Sequence, residues 1–372
     1  MRGDVQVRGL VEVASVQVLA VDIGLGTQDI LLYDSQRELE NCSRLILPSP
    51  TRILASRLER SAAEAGELFI SGHTVGGGPF SRAVKRALAA GTKVCMTPHA
   101  AYSIRNNLND VASLGITIAE APPRGFGGAF LELDELNLLP LREFLRQAGE
   151  DPDDPDAVAV AVQDHGAYRA GESNRKTRLR HMRDGLLGDP RPSSLSYLAH
   201  EVPDTFPRML SAARRLQEQF PSSRILVMDT SPAAVAGCLA DARVAEHAGG
   251  NLLLINAGNG HTLACLLRAG MVVGLLEHHT RRLEAGAFAT YLERFCDGEA
   301  RDEDPYLADG HGLFYLGKVP GMKNLDLIAV TGPRRSFLEG AGLDVYYPAP
   351  GGDMMMTGPL GLVEALRRRG DG

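Results

Sequence analysis

Tryptophan is absent from the 372 residues and aromatic side chains make up only 5% of them, so stacking platforms for unpaired nucleobases are not indicated. Lysine is scarce too: Lys85, Lys93, Lys176, Lys318 and Lys323 are the only ones, and arginine carries the remaining positive charge. The net charge is −7, which leaves no basic field for a polyanion and argues against nucleic acid as the main partner. Cysteine is sparse and scattered. The closest pair among Cys42, Cys95, Cys238, Cys265 and Cys296 lies 27 positions apart, so no C-x-x-C, zinc-ribbon or C-x-x-x-C-x-x-C spacing exists to hold zinc or an iron–sulfur centre. Long apolar runs are missing as well. No stretch of roughly 18 apolar residues is available to cross a membrane. Met1 to Gln17 is interrupted by Arg2, Asp4, Arg8 and Glu12, unlike the continuous core of a signal peptide. The expectation is a cytoplasmic protein with no membrane partner.

A hydrophobic content of 44% and a charged content of 23% are ordinary for a globular chain, and the length makes two domains the default. The organising stretch is Asp22-Ile23-Gly24-Leu25-Gly26-Thr27-Gln28-Asp29, set between the apolar runs Val16 to Val21 and Ile30 to Leu32. A strand delivers a carboxylate, then two glycines and a hydroxyl, and a second strand leaves at once. Glycines permit positive φ and a close backbone approach to an anion, while Asp22 sits where a cation can be held. An ordinary glycine-containing hairpin is the bland alternative. A second copy shifts the balance: Asn256-Ala257-Gly258-Asn259-Gly260-His261 also lies between apolar runs. It aligns Asn256 with Asp22, Gly258 with Gly24, Gly260 with Gly26 and His261 with Thr27. Two related half-domains that offer glycine turns to one nucleotide are the simplest account.

Along the chain, strands alternate with helices, implying a mostly parallel sheet with helices on its faces. Gly76-Gly77-Gly78-Pro79 follows a short strand and opens a helix. It reads equally as a flexible crossover and as an anion or substrate contact. The acidic, proline-broken Asp151 to Asp156 suggests a linker, dividing the chain into lobes 17–155 and 156–372. Asp164 and His165 close the apolar run Ala157 to Val162, as a site or as a side-chain turn. The arginine-rich segment Glu172 to Arg183 predicts an exposed loop. Asp229 ends the strand Ile225 to Met228 and precedes a helix, which suits either an N-cap or a catalytic carboxylate.

The paired glycine motifs resemble the two phosphate motifs of the actin-like ATPase and sugar kinase superfamily. Asp229-Thr230-Ser231-Pro232-Ala233-Ala234-Val235-Ala236-Gly237 is similar to the segment where sugar kinases carry their catalytic aspartate. The phrases Gln163-Asp164-His165-Gly166, Glu277-His278-His279-Thr280 and Asp353-Met354-Met355-Met356-Thr357-Gly358 resemble a prokaryotic family labelled as a pyruvate formate-lyase activating enzyme. The superfamily resemblance implies an α/β fold of two ribonuclease-H-like lobes around a nucleotide cleft. It also implies ATP and Mg²⁺ as cofactors, with Asp22 holding the metal, Gly24, Gly26, Thr27, Asn256, Gly258, Gly260 and His261 at the phosphates, and Gly332 in an adenosine turn. Pro333 stands where that turn usually has a second glycine.

Three functions compete on these residues. In an ATP-dependent phosphotransferase, Asp229 takes the proton of an acceptor and Asp22 carries magnesium, with Gly76, Gly77, Gly78, Asp164, His165 and His279 on the substrate side. The neutral Asn256 tilts this reading toward transfer over hydrolysis. A nucleotide-dependent switch acting on a partner enzyme uses the same turns but leaves Asp229 without a proton to remove. A metal-dependent hydrolase would gather His165, His278, His279 and His311 with Glu277 or Asp309, although none has the i, i+4 helical spacing of a zincin. The missing cysteine cluster excludes a radical activase.

Overall fold

The computed structural model describes residues 15–168, 174–308 and 311–370. Residues 1–14, part of the arginine-rich segment, and Asp309 with Gly310 lie outside the described residues.

Three strands open the chain: β1 (Gln17–Ile23), β2 (Thr27–Asp34) and β3 (Ser43–Pro48) form an antiparallel meander. An insertion follows, built from α1 (Pro50–Glu64), β4 (Glu67–Gly72), α2 (Gly78–Ala89), β5 (Lys93–Met96), α3 (Pro98–Ala101), α4 (Leu108–Ala112), β6 (Thr117–Ile118), β7 (Ala129–Leu133) and α5 (Leu139–Gln147). Its four strands pair in parallel in the order β6-β5-β4-β7 around a core of their own. The chain then returns to the first sheet through β8 (Ala157–Val162), α6 (Asn174–Gly188), β9 (Ser196–Leu198), α7 (Pro207–Gln219), β10 (Arg224–Met228) and α8 (Thr230–Cys238). The finished sheet runs β3-β2-β1-β8-β10-β9, with β8 parallel to both β1 and β10.

A second sheet repeats the plan after α9 (Ala242–Glu246). β11 (Asn251–Ala257), β12 (His261–Arg268) and β13 (Met271–His279) form the meander and lead into α10 (Ala285–Cys296), β14 (Gly312–Tyr315) and β15 (Leu327–Thr331). β15 lies parallel to β11 and β14 edges the meander. Each lobe thus has the ribonuclease-H-like arrangement, a three-stranded meander with a parallel strand beside its first strand. The repeat reaches individual hydrogen bonds. Gly24 N donates to Thr27 O (2.9 Å) and Gly258 N to His261 O (3.0 Å); Ser49 N donates to Gly26 O (3.1 Å) and Thr280 N to Gly260 O (3.0 Å).

This topology corrects the boundary expected at residues 155 and 156. β8 pairs with β1 and β10 with β8, so the first lobe runs on past α7. The acidic segment is a turn into a central strand. The arginine-rich segment is corrected as well: α6 is a helix whose Leu179, Met182 and Leu186 are buried, an apolar stripe hidden among arginines.

Alternation places the cores. Along β8, Ala157, Ala159 and Ala161 face the space between the lobes, while Val158, Val160 and Val162 face α7. The small side chains leave room for two helices, α8 and α11 (Thr357–Gly370), which cross between the sheets. They approach until backbones touch. A Cβ on Gly237 would run into the carbonyl oxygen of Thr357, and one on Gly361 into that of Ala233.

Gly361→Ala therefore overpacks the crossing that joins the lobes and should cost about 1–3 kcal/mol. Chemical denaturation measures it, and an unchanged midpoint would contradict this close approach.

Candidate functional site

The two glycine hairpins meet tip to tip over a cavity of about 620 Å³ lined by residues of both, within the size range of small-molecule sites. Asp22, Gly24 and Thr27 lie on one wall and Asn256, Gly258, Gly260 and His261 on the other. A Cβ on Gly26 would stand 2.6 Å from Asn259 Nδ2, and one on Gly260 would be 3.7 Å from Leu25 Cδ2. None of the four turn glycines has a positive φ, so the expectation that they supply left-handed backbone is corrected. At Gly26 the glycine makes room for the opposite hairpin. At Gly258 it makes room for its own turn, where a Cβ would meet His261 O at 2.8 Å.

Asp22 faces Asp29 across the β1–β2 ladder, a neighbour that the sequence reading left out of the site. Thr230 Oγ1 donates to Asp22 Oδ1 at 2.6 Å. Burial pushes the Asp22 carboxyl up to about 7 against that hydrogen bond. Burial, then the Asp22 charge, push Asp29 up to about 8. Asp29 Oδ1 is buried with no hydrogen-bond partner among the described residues. Two enclosed carboxylates with an orphaned oxygen match the oxygen-donor chemistry of a hard divalent cation. Across the cavity, Asn256 packs against Gly332, whose φ of +94° and whose close contacts to Ala257 O and Asn256 Oδ1 both require glycine.

Gly76, Gly77, Gly78, Asp164, His165 and His279, expected on the substrate side, line the same cavity, and several of their polar groups are already engaged. Asp164 accepts from the backbone of Gly166 (2.9 Å), Arg208 (2.7 Å) and Met209 (3.1 Å), so it closes its own side-chain turn and caps the N-terminus of α7. Arg208 pairs with Glu135 through two hydrogen bonds of 2.7 and 2.8 Å, and Glu135 also accepts from Gly76 N at 3.0 Å. Gly76 and Gly77 are close-packing positions, where a Cβ would sit 2.8 Å from Arg208 Nη2 and 2.7 Å from Ser103 O. A Cβ on Gly78 would strike Leu25 at the first hairpin's tip. The loop thus borders the cavity beside the glycine hairpins.

Asp229 departs from its expected place. Its carboxylate caps α8 by accepting from Ser231 N at 3.1 Å, and both its oxygens are held by Arg178, from Nη2 at 2.7 Å and Nε at 3.2 Å. It does not line the hairpin cavity, facing instead a small pocket with Arg178 and Met182. The base role is corrected to a cap and ion pair. Arg178 Nη1 also donates to Glu277 Oε2, so one buried guanidinium bridges β10 of the first lobe and β13 of the second. Burial pulls Arg178 down, but the charges of Asp229 and Glu277 outweigh it and hold the guanidinium above its usual value. Burial pushes Glu277 up to about 7 against the pull of Arg178.

Four histidines gather beside the second hairpin. The His261 ring lies 4.4 Å from His311, 4.9 Å from His279 and 5.4 Å from His165, centroid to centroid. His278, counted with them from sequence, points away: its Nδ1 and Nε2 contact the carbonyls of His279 and Tyr306. His261 takes its place. His311 is buried, its two ring nitrogens have no hydrogen-bond partner among the described residues, and its Nδ1 lies 3.6 Å from Glu277 Oε2. Burial, then His261, lower its pKa well below the imidazole range, so it is neutral.

The family described as "Putative pyruvate format-lyase activating enzyme" (DUF1786) matches residues 75–337. No curated protein has a sequence that matches this one. Among solved structures, the chain is similar to an inorganic polyphosphate/ATP-glucomannokinase from Arthrobacter sp. strain KM, with 15% identity over 95% of this chain and 99% of that one (TM-score 0.35). It is also similar to a PilM-PilN type IV pilus biogenesis complex chain, 13% over 95% and 98% (0.37), and to a ROK hexokinase from Thermus thermophilus, 11% over 96% and 100% (0.34). At those scores the lobe assignment rests on the strand order described above.

Two outcomes follow from these charges. Asp229→Asn removes one of the two carboxylates that hold Arg178 in the interior and should lower stability by about 1.5–3 kcal/mol; a denaturation midpoint equal to wild type would contradict the bridge. Asp22 and Asp29 hold protons in the folded state that the unfolded chain has lost between about pH 4 and pH 7–8. Stability of the metal-free protein should therefore fall as pH rises from 5 through 8. Asp29→Asn should flatten that profile in thermal unfolding, and a flat wild-type profile would contradict the raised values.

Proposed function

The chain belongs to the DUF1786 family, and from that premise and the geometry of the cleft we propose that it binds ATP with magnesium between its hairpins and transfers the terminal phosphoryl group to a small-molecule acceptor. The facing hairpins over one cavity, with the Asp22–Asp29 pair at its edge, are the observation that carries this reading. The family description names a radical activase, which the thiols do not fit. All five cysteines are free and buried, and among the described residues no three of them come together, whereas an iron–sulfur cluster needs converging thiolates.

In the proposed reaction Asp22 and Asp29 hold the magnesium, which supplies charge neutralisation at the phosphates. The N–H groups of Gly24 and Gly258 close their own turns, so the phosphates fall to the tips, Leu25-Gly26 and Asn259-Gly260. Asn256 offers a neutral amide, and Gly332 borders the adenosine. Arg82, Arg105 and Arg281 line the mouth of the cavity and are exposed, adding positive potential toward an anionic ligand. The acceptor side is bounded by Gly76 to Gly78, Asp164, His165 and His279. Phosphoryl transfer is mostly positioning and electrostatics, so the loss of Asp229 as a base does not remove it.

That loss does favour a second reading, in which the same cleft senses nucleotide and the lobes act on a partner enzyme. Both Asp229 oxygens are taken by Arg178, the specific observation behind it. ATP consumption with candidate acceptors separates the two, since a switch consumes no ATP in proportion to acceptor.

Calorimetry should show ATP binding that requires magnesium. Asp29→Asn should weaken it at least about tenfold, or about 1.4 kcal/mol. Gly260→Val should block the approach of backbone to phosphate, because a Cβ there has room against the protein itself. No binding by folded wild type, or binding indifferent to magnesium, would sink the proposal.

A further inference from the structure

The second hairpin differs from the first by placing His261 where the first has Thr27, and two histidines from distant parts of the chain converge on it. We propose that His165, His261 and His311 form a site for one divalent transition-metal ion of the zinc or ferrous class, distinct from the carboxylate pair of the first hairpin. Each offers a ring nitrogen, and the three atoms lie within 4.8 Å of one another. Small side-chain rotations bring them to the roughly 3.3 Å that separates nitrogens around a tetrahedral ion with bonds of about 2.0–2.1 Å. Imidazole is the donor that suits zinc, iron and copper, whereas magnesium and calcium take oxygen.

A packing role alone does not account for His311. Among the described residues its two buried ring nitrogens lack hydrogen bonds, as does Glu277 Oε1, and each such group costs about 1–3 kcal/mol. An ion on Nε2 would satisfy one of these nitrogens. Glu277 Oε2, 3.6 Å from Nδ1, is placed as the carboxylate that accepts Nδ1–H and fixes the ring, the usual outer partner of a metal-bound histidine. The buried Asp229–Arg178–Glu277 triad is net negative when ionised and stands behind that pair. At His261, the Gln163 side-chain amide contacts Nδ1. With its oxygen turned to that contact, Gln163 accepts from Nδ1–H and leaves Nε2 as a donor. His165 and His261 line the cavity, so the fourth position opens toward bound substrate, as in three-histidine sites that keep an exchangeable ligand.

The site does not depend on nucleotide binding, and its test avoids activity. The purified full chain is stripped with chelator, loaded with Zn²⁺ or Co²⁺, freed of excess metal by gel filtration and assayed for metal by mass spectrometry. About one equivalent should remain, with the Co²⁺ form showing tetrahedral absorption, and binding should weaken at least about tenfold in His165→Ala and His261→Ala. These two residues are half-buried and tolerate truncation better than His311. His247→Ala, remote on α9, should retain the metal. Asp29→Asn should retain it too, which separates this site from the magnesium reading. No retained metal in folded wild type, or equal retention in the His165→Ala/His261→Ala double variant, overturns the proposal.

Discussion

A single buried guanidinium ties the molecule together. Arg178 lies on α6, in a stretch whose composition suggests a surface loop, yet it is 1% exposed and bridges Asp229 of the first lobe to Glu277 of the second. Removing such ions from water costs several kcal/mol each, a cost offset only while all three partners are in place. α6 therefore cannot leave without stranding two carboxylates. Through Glu277 the same bridge reaches His311, and through Asp229 it caps α8, the helix that crosses α11 between the lobes. The lobes are thereby joined by charge at this bridge and by glycine packing at the helix crossing.

The rim of the cleft follows from the repeat. Both hairpins close the same turn with the same hydrogen bond, and both receive a backbone N–H from the residue after the third meander strand. Their glycines work by absence of a side chain. Gly26 admits Asn259 from the other lobe, and Gly78 admits Leu25 from the first hairpin. The first hairpin, the inserted subdomain and the opposite lobe thus meet at one place because none of these positions carries a Cβ.

Much of this was legible in the chain. Apolar runs marked the strands at Val16 to Val21, Ala157 to Val162 and Leu252 to Leu254, and the repeated glycine motif marked the two lobes. Local signals failed where long-range pairing decides. The acidic Asp151 to Asp156 resembled a linker because nothing local says that β8 returns to lie beside β1. The buried stripe of α6 was masked by arginines, one of which spends its charge inside. Asp229 carried two compatible local signals, and a distant arginine chose between them. Asp29 and His261 lay within the quoted motifs, but the sequence did not show that Asp29 faces Asp22 across the ladder or that His261 would meet His311.

In the proposed function the Asp22–Asp29 pair and the two hairpin tips hold one cation together with the phosphates of one nucleotide. Electron–nuclear double resonance on the protein carrying Mn²⁺ and ATP tests it most directly, because the manganese reports the nuclei bound to it. After gel filtration removes unbound Mn²⁺–ATP, a strong ³¹P coupling is expected to stay with the wild-type protein and to be lost with Asp22→Asn. Manganese coupled to imidazole nitrogen with no ³¹P signal, or a ³¹P coupling unchanged in that variant, would contradict it.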